Sequence, residues 1–207
     1  MIYNLPKLKS RPDRVDTHET VVYAGVLDDR KGVTALLEAF ALAHRERPET
    51  RLLYVGDSVD DTADQLRQRA EELDIRGAVE FAGRVDYDEV HTLIGRGDVA
   101  AAPYQPVPMN RIIRWNARKI PDYMNAELPV VVPDFGGFPD IVDATECGVA
   151  VDTTDVEELR DALGDLLDDP NYARQLGSNG RLAVEERYNW EREQSKVVHV
   201  VETALLD

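Results

Sequence analysis

Lys119 and Asp122 stand three residues apart in residues 116–142, "NARKIPDYMNAELPVVVPDFGGFPDIV". On a helix that spacing puts both side chains on one face. A cation at such a place can meet a phosphate group, and a carboxylate one turn on can accept hydrogen bonds from the vicinal hydroxyls of a ribose. The same spacing also describes an ordinary surface ion pair worth a few tenths of a kcal/mol. Further on, Pro129 opens an apolar run, and Gly136-Gly137 permits close backbone approach before the next helix.

A second cationic point lies in "AGVLDDRKG", where Arg30 and Lys31 precede a predicted helix start. Free amides and the helix dipole favour anions there. The pair suits phosphate; it equally suits a solvated turn in which Gly32 eases the chain into the helix. Asp86-Tyr87-Asp88 spells a DxD of the kind that holds a divalent ion against a diphosphate. Asp86 with Glu89 also forms a capping box opening a helix at residue 87, and capping is the stronger reading in so acidic a chain. Asp57, Asp60 and Asp61 read as a solvated loop rather than a cation site. His18, His44, His91 and His199 lack metal-ligand spacing, and Ser58, Ser178 and Ser195 lack a nucleophile elbow. No G-x-G-x-x-G follows a strand and no Walker pattern occurs, which disfavours an NAD-dependent oxidoreductase or a P-loop protein.

The 207 residues suit one large domain or two small ones, and 43% hydrophobic content is enough for a sizeable core. No apolar run approaches the roughly 20 residues needed to span a bilayer. "MIYNLPKLKS" lacks the charged start and apolar middle of a signal peptide, so the expectation is a cytoplasmic protein. Cys147 is the sole cysteine, which excludes an internal disulfide and a cysteine metal cage. The formal charge of −16 and the lack of a basic stripe argue against nucleic acid. Acidic residues are scattered throughout, and the only lysines are Lys7, Lys9, Lys31, Lys119 and Lys196. Such a surface works best where salt screens its self-repulsion, which points to a halophilic, salt-rich cytosol. An acidic protein that binds a diphosphate must place its few cations with care, and this singles out Lys31 and Lys119.

The elements that must position these groups alternate regularly. Short apolar runs predict strands at 20–26, 51–57, 78–83, 98–104, 128–134 and 148–152. Helical periodicity begins at Val33 and returns over 63–73, 86–95 and 116–126, from 138, and from Asp155, where Asp155 and Glu158 suggest a capping box. A last helix over about 191–206 carries Val197, Val198, Val201, Ala204 and Leu205 on one side. The pattern predicts an α/β fold: a Rossmann-like, doubly wound, parallel six-stranded sheet with helices on both faces. Ligands of such sheets sit outside the carboxyl ends of the strands, near the point where strand order reverses. The loops to inspect are 25–32, 56–60, 83–86, 104–116 and 134–138.

Taken in order, residues 21–207 resemble the C-terminal, nucleotide-sugar-binding domain of GT-B-fold glycosyltransferases of the group 1, family 4 type. "VVYAGVLDDRKGVTALLEAF" is similar to that family's glycine-ended first strand, phosphate lysine and helix. "RLLYVGD", "VEFAGRV" and "DVAAAPY" resemble its next strands, and "RKIPDYMNAELPVVVPDFGGFPDIV" resembles its P-x-K-x-x-E-Y-M-x-x-G-x-P-V-V stretch followed by a Gly-Gly loop. "RYNW" resembles the aromatic stretch before the terminal helix. The resemblance implies that Lys31 binds the donor diphosphate, with Gly136 and Gly137 in the loop beneath the phosphates. It puts Asp122 at the ribose, Gly83, Arg84 and Val85 at the base, and Asn110 and Arg114 near the donor sugar. It implies no cofactor and no metal, with the nucleoside-diphosphate sugar as substrate.

The departures are specific. Many members carry Arg after the first-strand glycine; here Val26 stands, and Arg30 or Lys119 is the candidate to replace that cation. Asp122 is one methylene shorter than the family's glutamate, Arg114 replaces a sugar-contacting glutamate, and Glu127 replaces a glycine. Residues 1–20 resemble the linker between the family's two domains, and about 188–207 its C-terminal crossing helix, leaving 21–207 as one domain. The expected partner is an acceptor domain or a separate acceptor-binding subunit, and peripheral membrane association would come through that missing half. The alternative is a non-catalytic module of the same fold that pairs with another protein.

Overall fold

The computed structural model describes residues 3–12, 19–113, 117–196 and 198. Six strands run β1 Thr20–Ala24, β2 Arg51–Val55, β3 Val79–Gly83, β4 Val99–Ala101, β5 Val130–Pro133 and β6 Gly148–Val151. They form one parallel sheet of order β3-β2-β1-β4-β5-β6. The chain winds outward through β2 and β3, then returns across β1 to start β4. That reversal puts the crevice of the doubly wound fold beside the ends of β1 and β4.

Among the described residues the helices are α1 Val33–Glu46, α2 Thr62–Glu72, α3 Tyr87–Ile94, α4 Pro108–Arg111, α5 Lys119–Asn125, α6 Phe138–Thr145, α7 Val156–Asp168 and α8 Pro170–Glu186, with further helical residues at 190–196. Successive strand residues serve opposite faces, as the pleat requires. Val21 and Tyr23 of β1 pack into a core with α1, α2 and α7, whereas Val22 and Ala24 pack into a second core with α3, α5 and α6. Both cores combine aliphatic side chains with buried tyrosines and phenylalanines, and burial on both faces accounts for the continuously apolar strands.

The strands end earlier than their apolar runs. β1 stops at Ala24 and β2 at Val55, because Gly25 (φ 141°) and Gly56 (φ 137°) turn the chain out of the sheet. Asp86 and Glu89 do form a capping box at α3. The box expected at α7 differs. Asp155 caps the amides of Glu157 and Glu158, but the Glu158 carboxylate accepts from Asp152 N–H (3.0 Å) rather than from its own cap. The terminal helix is seen over residues 190–196; Val197, Val201, Ala204 and Leu205 lie outside the described residues.

Helix α8 carries no strong hydrophobic signal and is absent from the sequence reading. Its buried stripe is mostly small, with Ala173, Gly177, Gly180 and Ala183 among its members. The small residues let α8 approach backbone directly. A Cβ at Gly177 would lie 2.3 Å from the Glu127 carbonyl oxygen. Glu127 itself sits at φ 62°, a left-handed conformation that favours glycine. Its carboxylate is held by Ser178 (2.8 Å) and Arg11 (3.3 Å). Gly177→Ala is therefore expected to destabilise the protein by about 1–3 kcal/mol through overpacking, lowering the melting temperature by several degrees. Gly77→Ala, where nothing lies within 4 Å of the added carbon, is expected to leave it within a degree or two; paired thermal melts check both.

Candidate functional site

A cavity of about 700 Å³ opens at the carboxyl edge of the sheet. Its floor and walls come from the loops after β1, β2 and β3, from Tyr104 beyond β4, and from α3 and α5. The volume is that of a site for a drug-sized or nucleotide-sized molecule.

Lys119 Nζ defines the deep end. Its ammonium is buried, has no hydrogen-bond partner, and lies 3.8 Å from the Tyr23 ring centroid and 4.9 Å from that of Tyr104. Lys31 reaches in from the turn Asp29–Lys31, with Nζ 4.7 Å from the Tyr104 ring. The ring faces offer partial negative charge to both cations, but ring faces do not replace water or an anion. Burial, reinforced by the Lys31 charge, pushes the Lys119 amine well below the ordinary lysine value. Burial also lowers Lys31. Gly25 keeps the place open: a Cβ there would lie 3.3 Å from Lys119 Nζ.

Asp122 lies one turn on and does not pair with Lys119. Its Oδ1 accepts a hydrogen bond from the Tyr87 hydroxyl at 3.1 Å, and its Oδ2 is 3.8 Å from Arg118 Nε. Burial pushes its carboxyl up to about 6 despite the nearby Arg118 charge. Two neighbouring residues on one short helix are thus held in opposite environments, an ammonium between aromatic rings and a carboxylate under a phenol.

Among the other predicted site residues, Arg84 and Val85 line the cavity, and Gly83 stands just behind them, its carbonyl accepting from Gly56 N–H (2.9 Å). Arg30 does not line it. Its guanidinium is exposed and bound to Asp28 through Nε (3.0 Å) and a second nitrogen (2.5 Å). Asn110 is buried, and its amide donates to the carbonyls of Arg30 (2.6 Å) and Gln105 (2.8 Å), so it ties down that turn. Gly136 and Gly137 open α6 outside the cavity. Gly136 (φ 67°) backs onto the Arg111 carbonyl, and Gly137 N–H donates to that of Ile113 (3.3 Å). Arg114 lies outside the described residues. Of the two candidates to replace the cation absent at Val26, Lys119 lies beside Lys31, whereas Arg30 is committed to Asp28.

Tyr23, Tyr104, Tyr87 and Arg118 are site residues that the sequence reading missed. Tyr23 stands inside one strand-like run and Tyr104 ends another, and Tyr87 falls within a capping box. Their common signal is position: each stands at a carboxyl end of the sheet or at the start of a helix facing it. The acidic loop after β2 binds its own backbone, Asp57 accepting from Ser58 N–H and Asp60 from Thr62 N–H. Among the described residues no group of three His, Cys, Asp or Glu side chains is arranged to hold a metal ion, and no helix is long and apolar enough to cross a membrane.

The family description "Glycosyl transferases group 1" matches residues 6–183. A GDP-mannose-dependent monoacylated alpha-(1-6)-phosphatidylinositol monomannoside mannosyltransferase of Corynebacterium glutamicum is 27% identical over 188 residues, covering 91% of this chain and 48% of the relative. An MMP alpha-(1->4)-mannosyltransferase of Mycolicibacterium hassiacum is 29% identical over 178 residues, covering 84% and 40% respectively. The chain spans about half the length, or less, of these curated relatives. Among solved structures, Anabaena Alr3699/HepE in complex with UDP superposes with a TM-score of 0.77 at 20% identity, over 90% of this chain and 49% of that one. The C-terminal domain of a glycosyl transferase group 1 family protein from Francisella tularensis (LpcC) superposes with a TM-score of 0.71 at 17% identity, over 84% of this chain and 87% of that domain. At these identities the two likenesses show the fold.

The Asp122 environment has a measurable consequence. A carboxyl raised from 3.8 to about 6 in the folded state binds its proton more tightly folded than unfolded, so its charged form opposes folding. That penalty is absent below pH 4, grows through pH 4–6 and is complete above it, at up to about 3 kcal/mol. Asp122→Asn is expected to raise the melting temperature at pH 7.5 and to leave it nearly unchanged at pH 4; thermal melts across that range check the sign.

Proposed function

The chain belongs to the glycosyl transferases group 1 family, and we propose that it forms the half of such an enzyme that binds the nucleoside-diphosphate sugar donor. The observation that carries this reading is Lys119 Nζ: a buried ammonium with no hydrogen-bond partner, aimed into a 700 Å³ cavity beside a second lysine. An uncompensated buried charge costs several kcal/mol. A diphosphate supplies the missing partner for both lysines. Asp122, Arg84 and Val85 then lie along the same cavity for ribose and base. A UDP complex of one structural neighbour and the GDP-mannose dependence of one relative support this ligand class. The relative makes GDP-mannose the first donor to test.

The chemistry assigned to these residues is electrostatic. As the bond from the anomeric carbon to the diphosphate oxygen breaks, its electron pair stays with the diphosphate. Cations already in place stabilise that growing charge more than they stabilise the ground state. The acceptor hydroxyl would be held by a further domain or subunit, since the curated relatives are about twice as long. A non-catalytic protein-binding module of the same fold would leave the buried ammonium unexplained. The charge of −16 with five lysines supports placing this protein in a salt-rich cytosol.

Calorimetric titration of the full chain with GDP and UDP tests the reading. One nucleotide is expected to bind, with Lys119→Met weakening it on the order of 100-fold and Lys31→Ala on the order of 10-fold. Lys119→Met is also expected to stabilise the empty protein, because it removes the buried charge. An anion beside Lys119 favours its charged form, so affinity is expected to fall as pH rises from the lowered Lys119 value toward that of an ordinary lysine. Absence of binding by either nucleotide at millimolar concentration overturns the proposal.

A further inference from the structure

Tyr87 stands apart from the other tyrosines around the site. Tyr23, Tyr54 and Tyr123 are fully buried, and the hydroxyls of Tyr23 and Tyr54 donate to the backbone carbonyls of Val26 (2.8 Å) and Val33 (2.7 Å). Tyr123 accepts from Ala24 N–H at 2.7 Å. All three serve to lock backbone. Tyr87 is 45% exposed, lines the large cavity and gives its hydroxyl proton to a side chain, Asp122 Oδ1. Its ring is held by two cations, Arg118 at 4.3 Å and Lys9 at 5.0 Å from the centroid. Lys9 is fixed in turn by Asp88 (3.2 Å). A large, half-exposed side chain is therefore kept in one orientation, with its polar tip on the acid assigned to ribose.

The hydrogen-bond inventory of this pair is one-sided. A phenol has one proton, and here Asp122 takes it. The phenolic oxygen is left with acceptor capacity only, part of it turned toward the Arg118 guanidinium, as is the carboxylate, whose Oδ2 lies 3.8 Å from Arg118 Nε. The pair thus shows the cavity two acceptors 3.1 Å apart, a spacing comparable to that of two neighbouring hydroxyl oxygens on a sugar ring. Each hydroxyl of a cis-diol can donate to one of them. Asp122 is also one methylene shorter than glutamate, so its carboxylate sits further from the cavity. The Tyr87 oxygen, 3.1 Å from that carboxylate and in the same cavity lining, adds a second acceptor beside it.

We propose that Tyr87 is a specificity-determining residue, its hydroxyl acting with Asp122 as a two-acceptor clamp that selects the 2′,3′-diol of a ribonucleoside diphosphate over its 2′-deoxy form. This deepens the donor-site reading and rests on it. The clamp acts on the nucleoside end of the cavity, whereas Lys31 and Lys119 hold the diphosphate end. The two ends are therefore separable by ligand: pyrophosphate reports on the lysines alone, and the ribose-to-deoxyribose preference reports on the clamp.

The experiment is calorimetric titration of the full chain, and of Tyr87→Phe, with GDP, UDP, their 2′-deoxy forms and pyrophosphate. The unaltered protein is expected to prefer the ribose form on the order of 10-fold, as for one hydrogen bond to a charged group. Tyr87→Phe is expected to lose that preference and to bind the ribonucleotide on the order of 10-fold more weakly, with pyrophosphate affinity unchanged. Adding Asp122→Glu to Tyr87→Phe is expected to recover both affinity and preference, because the longer acid reaches the diol unaided. Retention of the preference by Tyr87→Phe, or loss that Asp122→Glu does not repair, overturns the clamp while leaving the donor site standing. Failure of the unaltered protein to bind any of the diphosphates overturns both.

Discussion

The organising constraint of this molecule is a lysine amine held out of water with no hydrogen-bond partner. Lys119 Nζ sits between two tyrosine rings and near a second lysine. Cation–π attraction offsets only part of its desolvation, since such contacts are worth about 2 kcal/mol or somewhat more when dry while the effective penalty is several. A side chain as long as lysine could turn toward bulk water at little cost. It stays because its surroundings leave it one direction. Gly25 vacates the volume the ammonium uses, and the Tyr123 hydroxyl bonded to Ala24 N–H (2.7 Å) fixes α5 against β1. The fold therefore holds at the cavity an amine whose burial an anion beside it would offset.

The same logic explains the strand ends. β1 lies at the centre of the sheet, where the two windings diverge, and β2 lies next to it. Both leave it through glycines at positive φ, and a Cβ at Gly56 would fall 2.1 Å from the Gly25 carbonyl. The two turns are packed against one another, so the floor of the cavity is backbone rather than mobile side chain. The sequence reading carried both strands past these glycines, to Val26 and Asp57, while marking the loops 25–32 and 56–60 for inspection. The parallel sheet followed from the strand–helix alternation: burial on both faces leaves a compositional mark that survives without knowledge of partners.

What the sequence did not disclose is decided by direction and proximity in space. Arg30 and Lys31 are equivalent as text; Asp28 captures the guanidinium, and only the ammonium continues to the cavity. Asn110 looks free to meet a ligand but spends its amide on two carbonyls that no local pattern predicts. Tyr87 was hidden because the capping box of Asp86 and Glu89 fully accounts for its segment, yet the box and the tyrosine use different sides of the same turn. Helix α8 was hidden by its own fitness: a stripe of glycine and alanine reads as a loop, although it is what allows backbone-to-backbone packing at Glu127.

The lead segment ties these features together. Tyr3 N–H donates to the Glu193 carboxylate (3.0 Å), and Trp190 N–H donates to the Pro6 carbonyl (2.9 Å), so the segment begins against the terminal helical residues. Its middle is gripped by α5 and α8: Asn125 donates to the Lys7 carbonyl (2.9 Å) and Arg181 to that of Lys9 (2.9 Å). It ends on α3, where Lys9 meets Asp88 and the Tyr87 ring and the Ser10 carbonyl meets His91 Nε2 (2.9 Å). Helix α5 carries Lys119 and Asp122, and α3 carries Tyr87. A single stretch thus bonds to the terminal helical residues and to both of these cavity-lining helices. Hydrogen bonds made by an extended backbone are directional and hold only in one register, so a shift of this strap by one residue would break its contacts with α8, α5 and α3 together. The position of the acid and of the phenol above it is therefore set from outside the sheet as well as from within, by residues that precede the first strand.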